Sequence, residues 1–126
     1  MHAPITALYA GLLGLLMLIL AFRVVAIRRS TSIGLGDGGN AILLSRIRIH
    51  GNAAEYVPLA LLLMLILELN GGSARWLHGL GIALLVGRLA HAQGLSQATG
   101  ISAGRFIGNV LTWSVILIAA VENVLG

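Results

Sequence analysis

The sequence predicts an all-α fold, a bundle of four transmembrane helices, and three observations carry that expectation. Of the 126 residues, 58% are hydrophobic and only 10% are charged, with a mean hydropathy of +0.97. An ordinary domain in water carries about 25% charged residues, so a chain this short would expose large apolar patches unless its solvent were hydrocarbon. The apolar stretches are also too long for buried strands: Leu12 to Leu20 reads Leu-Leu-Gly-Leu-Leu-Met-Leu-Ile-Leu. Such runs cross a bilayer as helices with every backbone group bonded internally. Finally, short polar turns separate four such segments without repeat, low-complexity tract or linker, so residues 1–126 are expected to form a single membrane domain.

The first span is expected from about Ile5 to Ile27. It lacks the positive start and small-residue cleavage site of a signal peptide, and Arg23, Arg28 and Arg29 flank its far end as in a stop-transfer segment. Ser30 to Asn40 is polar and glycine-rich, hence a loop. Its Gly34, Gly36, Gly38 and Gly39 have no preceding strand, no lysine and no Gly-Lys-Ser/Thr ending, which argues against a phosphate cradle. Asp37 is expected to serve the turn. The second span, about 41–69, carries Arg46, Arg48, His50, Asn52 and Glu55 in its first half and almost unbroken hydrocarbon from Tyr56 to Leu67. The turn Asn70 to Ser73 is long enough only for an antiparallel neighbour. The third span, about 75–92, opens with Trp76 as an interface anchor. A loop containing Gly94, Ser96, Gln97, Thr99 and Gly100 is expected next, then a fourth span, about 102–125, with Arg105 at its entry and Trp113 in its middle.

Eight arginines, no lysine and four acids give a formal charge of +4 and a pI near 11.2. There is no dense basic tract and aromatics are 5%, so nucleic acid is not expected as a partner. With no cysteine, disulfides and protein thiolates are excluded, and any thiol chemistry must use a ligand's thiol. The histidines at 2, 50, 78 and 91 form no His-Glu-x-x-His run, so no metal is expected. No serine lies in a Gly-x-Ser-x-Gly elbow, which disfavours a hydrolase. A proton-coupled exporter needs an acid within the membrane, and the first span has none between Ile5 and Phe22. Only Arg75 falls at the end opposite the other seven arginines, so the positive-inside rule predicts cytoplasmic arginine-rich connections and external termini.

The polar residues inside the spans form stripes. Arg48, Asn52 and Glu55 stand at i, i+4 and i+7, one helical face rising about 10 Å. Arg88 and His91 share a face of the third helix, and Arg105 and Asn109 share one on the fourth. Such groups cost several kcal/mol at membrane depth unless paired or wetted. One reading is structural: Arg48 pairs with Glu55 while the others snorkel to headgroups. The other counts three helix-borne arginines against one carboxylate and expects an anionic ligand, because the guanidinium fork matches carboxylates bidentately. A small acidic peptide fits that description.

The stretch Arg48-Ile49-His50-Gly51-Asn52-Ala53-Ala54-Glu55-Tyr56-Val57-Pro58 resembles the second-helix signature of the MAPEG family, the membrane-associated proteins of eicosanoid and glutathione metabolism. Arg88-Leu89-Ala90-His91 resembles the family's next arginine-bearing stretch, and the compact loops with Gly36-Asp37-Gly38-Gly39 resemble its small bacterial branch. The resemblance spans essentially the whole chain. It implies a homotrimer in a bacterial inner membrane, with glutathione as co-substrate in a cytoplasm-facing crevice between protomers and a lipophilic second substrate arriving from the membrane lipid. Matched by position, Arg48, Asn52, Glu55, Arg88 and His91 are the implied glutathione contacts, Glu55 meeting the ammonium. Arg105 is the implied catalytic residue that stabilises the thiolate, and no metal is implied.

Several enzymes of the family carry a tyrosine beyond the third-helix arginine, where this chain has Gln93-Gly94-Leu95; its tyrosines are Tyr9 and Tyr56. Two functions are therefore carried forward. One is a glutathione-dependent transferase or peroxidase-like enzyme, the other a non-catalytic lipid- or ligand-binding scaffold of the same fold.

Overall fold

A computed structural model describes residues 1–97 and 102–126. Four helices follow one another: α1 (Pro4–Thr31), α2 (Ala41–Leu69), α3 (Ala74–Gln97) and α4 (Ala103–Leu125). The helices α2 and α3 form the middle of the bundle, each packing against the other and against both flanking helices, and α3 packs most extensively on α4.

Burial follows a helical stripe. In α2 the buried side chains are Leu43, Ile49, Ala53, Val57, Ala60 and Met64, spaced mostly three or four apart, and those from Ile49 onward share one core with Leu13 and Leu20 of α1, Leu80 and Leu84 of α3, and Val115 and Ala119 of α4. The outward faces are equally apolar, with Leu15, Leu18, Ile19, Phe22, Phe106 and Leu117 exposed. A surface of that kind belongs against lipid. Three helices, α1, α2 and α4, are long and apolar enough to cross a membrane. The helix α3 is long enough but carries Arg75, His78, Arg88 and His91, of which Arg88 and His91 are turned into the protein.

Local chemistry sets the boundaries. Pro4 suits a first helical turn, where its missing N–H has no partner to lose. The orphan N–H groups of Ile5 and Thr6 donate to Glu68 Oε2 and Oε1 at 3.0 and 2.8 Å, so the end of α2 caps the start of α1. The helix α1 runs four residues beyond its expected end at Ile27. Ser30 and Thr31 hydroxyls donate back to the Ile27 carbonyl, and Ser32 ends the helix in the left-handed region at φ 58°. Arg28 Nη1 ties the following loop through the carbonyls of Ile33 and Gly36, at 3.2 and 2.9 Å. Asp37 Oδ1 accepts the Gly39 N–H at 2.8 Å, the turn chemistry expected of it, with Gly38 and Gly39 at positive φ. Asn40 then caps α2 by accepting the Leu43 N–H at 2.9 Å.

The expected loop after Ala92 is corrected at its start. The helix α3 continues to Gln97, so Gly94, Ser96 and Gln97 are helical, while Thr99 and Gly100 lie outside the described residues. A single glycine costs a helix only about 1 kcal/mol, and no proline interrupts this stretch.

Two glycines fix the crossing of α3 and α4. A Cβ on Gly108 would fall 2.5 Å from the Gly87 carbonyl oxygen and 2.7 Å from the His91 backbone nitrogen, so the backbones themselves are in contact. That contact brings Arg88 and His91 directly against α4.

Candidate functional site

At the end where α1 and α3 finish and α2 and α4 begin, a cleft of about 280 Å³ opens between α2, α3 and α4. This is near the low end of the range of about 300–1,000 Å³ for small-ligand sites. Its polar lining is Ser45, Arg48, Asn52, His91, Arg105 and Asn109, with Ala41 and Leu44 supplying apolar wall. The stripes of three helices thus converge on one space, and among the described residues no carboxylate lines it.

Arg88 lies behind the cleft, 2% exposed. Its Nη2 donates to Asn52 Oδ1 at 2.7 Å and faces His91 Nδ1 at 3.4 Å, while Nη1 reaches Thr112 Oγ1 at 3.4 Å. Thr112 in turn donates to the Gly108 carbonyl at 2.8 Å. Arg88 therefore bonds side chains from α2, α3 and α4 and orients two residues of the lining. A guanidinium has only donors, so His91 Nδ1 must accept and its proton resides on Nε2. His91 is among the residues that line the cleft.

Arg105 is placed by Ser102, whose hydroxyl accepts the Arg105 backbone N–H at 3.2 Å and caps α4. Arg105 Nη2 and Asn109 Oδ1 are buried and have no hydrogen-bond partner among the described residues; the same holds for Arg88 Nε. An unmet buried donor or acceptor costs about 1–3 kcal/mol, more when charged. A donor on Arg105 and an acceptor on Asn109, side by side, suit a ligand that offers both kinds of group.

Arg48 Nη2 and Glu55 Oε1 stand 3.7 Å apart, with both side chains about half exposed. At that exposure the pair is worth at most about 1 kcal/mol and leaves both groups open to exchange partners. Glu55 and Arg88 do not line the cleft directly: Glu55 flanks it through Arg48, and Arg88 backs it. His50 is half-buried and outside the lining. Among the described residues, no group of three His, Asp or Glu side chains could hold a metal ion.

On the lipid side of α4 a second hollow, about 330 Å³, is lined by Ser102, Arg105, Phe106, Asn109 and Trp113. It shares Arg105 and Asn109 with the polar cleft, and its apolar wall is braced where Trp113 meets Tyr56 edge-on at 6.1 Å. Arg105 therefore stands between a polar space and an apolar one.

Sequence reasoning had not singled out Ser45 and Thr112 for this site. The signal was present in the spacing. Ser45 precedes Arg48 by three residues, and Arg105, Asn109 and Thr112 repeat the i, i+4, i+7 pattern of Arg48, Asn52 and Glu55.

Residues 6–125 match the model of the MAPEG family. The chain is 42% identical over 119 residues to the inner membrane protein YecN of Escherichia coli strain K12, covering 94% of this chain and 89% of that protein. The protein of the same name from Escherichia coli O6:H1 (strain CFT073) matches with the same identity and coverage.

Proposed function

This chain belongs to the MAPEG family, and from that membership we propose that it is a glutathione-dependent enzyme of the inner membrane. In this reading glutathione binds in the arginine-lined cleft and its sulfur attacks a lipophilic electrophile. The observation that carries the proposal is the pair of buried polar atoms on Arg105 and Asn109 that have no partner among the described residues, beside the arginine stripe. The cations of the cleft have no lining carboxylate, and glutathione brings two carboxylates, an ammonium and a thiol.

Arg48 and the Nε2–H of His91 take carboxylate oxygens, Asn52 is held in register by Arg88, and Glu55 exchanges Arg48 for the glutathione ammonium. Arg105 meets the sulfur. A free thiol with a pKa near 8.5 is mostly protonated at neutral pH, and an adjacent guanidinium out of bulk water favours the anion. The hollow bounded by Phe106 and Trp113 receives the electrophile, so thiolate and electrophile meet across Arg105. The seven arginines at this end support, by the positive-inside rule, a cytoplasmic cleft with external termini. A homotrimer, the assembly that the family resemblance implies, lets the neighbouring protomer close the open side of the cleft.

The absence of a tyrosine at Gln93-Gly94-Leu95 favours a second reading, a non-catalytic lipid- or ligand-binding scaffold. Neither tyrosine of the chain lines the cleft: Tyr9 bonds His78 at the opposite end and Tyr56 rests on Trp113. Glutathione added to the purified protein is expected to give the ultraviolet absorbance of a thiolate, with turnover of generic electrophiles. Arg105→Ala is expected to abolish the signal and lower turnover about 100-fold or more, as for loss of a group that stabilises developing negative charge. An unchanged thiolate signal in that variant rejects the role of Arg105, and binding without turnover across several electrophiles selects the scaffold.

A further inference from the structure

The opposite end of the bundle holds a pocket of about 470 Å³ between the last turn of α2, the first turn of α3 and the last turn of α4. The chemistry there is the reverse of the arginine cleft, because Glu122 is the charged residue of its lining. Trp76 Nε1 donates to Glu122 Oε2 at 2.8 Å, which holds the carboxylate beside the indole. The helix α2 ends at this pocket, where the N–H groups of Asn70, Gly71 and Gly72 cap the carbonyls of Ile66, Glu68 and Leu67, and the C-terminal end of a helix carries partial negative charge. A carboxylate, the negative end of α2 and an indole all attract a cation.

The pocket also has a positive side. Ser73, immediately before α3, lines it, so the start of that helix, with its partial positive charge, borders the pocket, and exposed Arg75 lies one residue from Trp76. A ligand with an ammonium a few bonds from a phosphate satisfies both sides. Trp76, nearly half exposed, suits the headgroup level of a bilayer. Exposed Leu69, Val124 and Leu125 supply apolar surface at the rim, where acyl chains would run.

We propose that this pocket binds the headgroup of an ammonium-bearing zwitterionic phospholipid of the phosphatidylethanolamine type, with the ammonium at Glu122 and the phosphate toward the start of α3. None of its lining residues belongs to the arginine cleft, so the proposal stands or falls independently of the thiol chemistry.

The test uses Trp76 as the reporter, in a Trp113→Phe background in detergent, titrated with short-chain phosphatidylethanolamine, short-chain phosphatidylglycerol and free phosphoethanolamine. Saturable change in indole emission is expected, with half-saturation about fivefold lower for phosphatidylethanolamine than for phosphatidylglycerol. Glu122→Gln still accepts the indole N–H and removes only the charge, and it is expected to erase that preference. Native mass spectrometry of the unsubstituted chain, exposed to an equal mixture of the two lipids, gives a second readout and is expected to show phosphatidylethanolamine retained in excess. Equal affinity for the two lipids, a preference that survives Glu122→Gln, or free phosphoethanolamine saturating at the lipid's concentration overturns the proposal.

Discussion

The two ends of this bundle handle polar groups in opposite ways. At the end bearing Glu68, most polar groups close on one another: the carboxylate caps α1, and Tyr9 bonds His78 Nδ1 at 2.9 Å while its ring rests where Gly81 leaves room, with the Thr6 hydroxyl alone buried and unbonded among the described residues at this end. At the arginine end, Arg88 bonds three neighbours, yet Arg105 Nη2 and Asn109 Oδ1 remain buried without partners among the described residues. In hydrocarbon, closure is the cheaper arrangement, so the polar atoms left open at the arginine end are the candidates for holding the proposed ligand. The Glu68 carboxylate ties the start of α1 to the end of α2, while the arginine end keeps buried polar atoms beside an open cleft.

The largest expected effect tests whether the arginine end depends on the α3–α4 crossing. Gly108→Leu forces a side chain into the Gly87 carbonyl and the His91 backbone, which cannot yield as a flexible side chain can. A loss of about 3 kcal/mol or more is expected, read as a collapsed thermal midpoint in detergent together with lost glutathione binding. Near-normal stability would mean that the two backbones are not in contact.

A smaller effect separates stability from binding. Arg88 is buried with hydrogen-bond partners but no carboxylate among them, so its charge is not stabilised as an ion pair. Arg88→Met is expected to leave the thermal midpoint nearly unchanged while weakening glutathione binding about tenfold or more, because Asn52 and His91 lose the group that orients them. A large fall in midpoint with intact binding would assign Arg88 to the fold instead.

The smallest expected effect lies at the closed end. Glu68→Ala uncovers two N–H groups of α1 and is expected to cost about 0.5–2 kcal/mol in thermal or denaturant unfolding, with glutathione affinity unchanged. Altered affinity would show that the two ends are coupled.

The sequence made the arginine end legible because local spacing carries the information. Arg48 with Asn52, Arg88 with His91, and Arg105 with Asn109 each share a face by helical periodicity alone. The convergence of those faces depends on the Gly87–Gly108 crossing, a pairing between residues distant in the chain that periodicity does not reveal. For the same reason Glu68 gave no sign of its role: the N–H groups that it caps belong to residues 62 and 63 positions away. The end of α3 was misjudged because glycine and serine between 94 and 97 suggest a loop, whereas the helix carries one glycine at small cost. Thr112 follows the spacing of the other stripe residues, but a threonine in an apolar helix is usually satisfied by its own backbone, and this one does bond the Gly108 carbonyl.

Arg48, Glu55 and Arg105 are proposed to hold an anionic thiol peptide in the cleft. A glutathione titration of the detergent-purified protein, repeated for Arg48→Ala and Glu55→Ala, tests this most directly. Affinity is expected to fall about tenfold or more in each variant, the scale of a lost hydrogen bond to a charged group. Equal affinity in all three proteins would contradict the account and leave the arginine stripe as packing between helices.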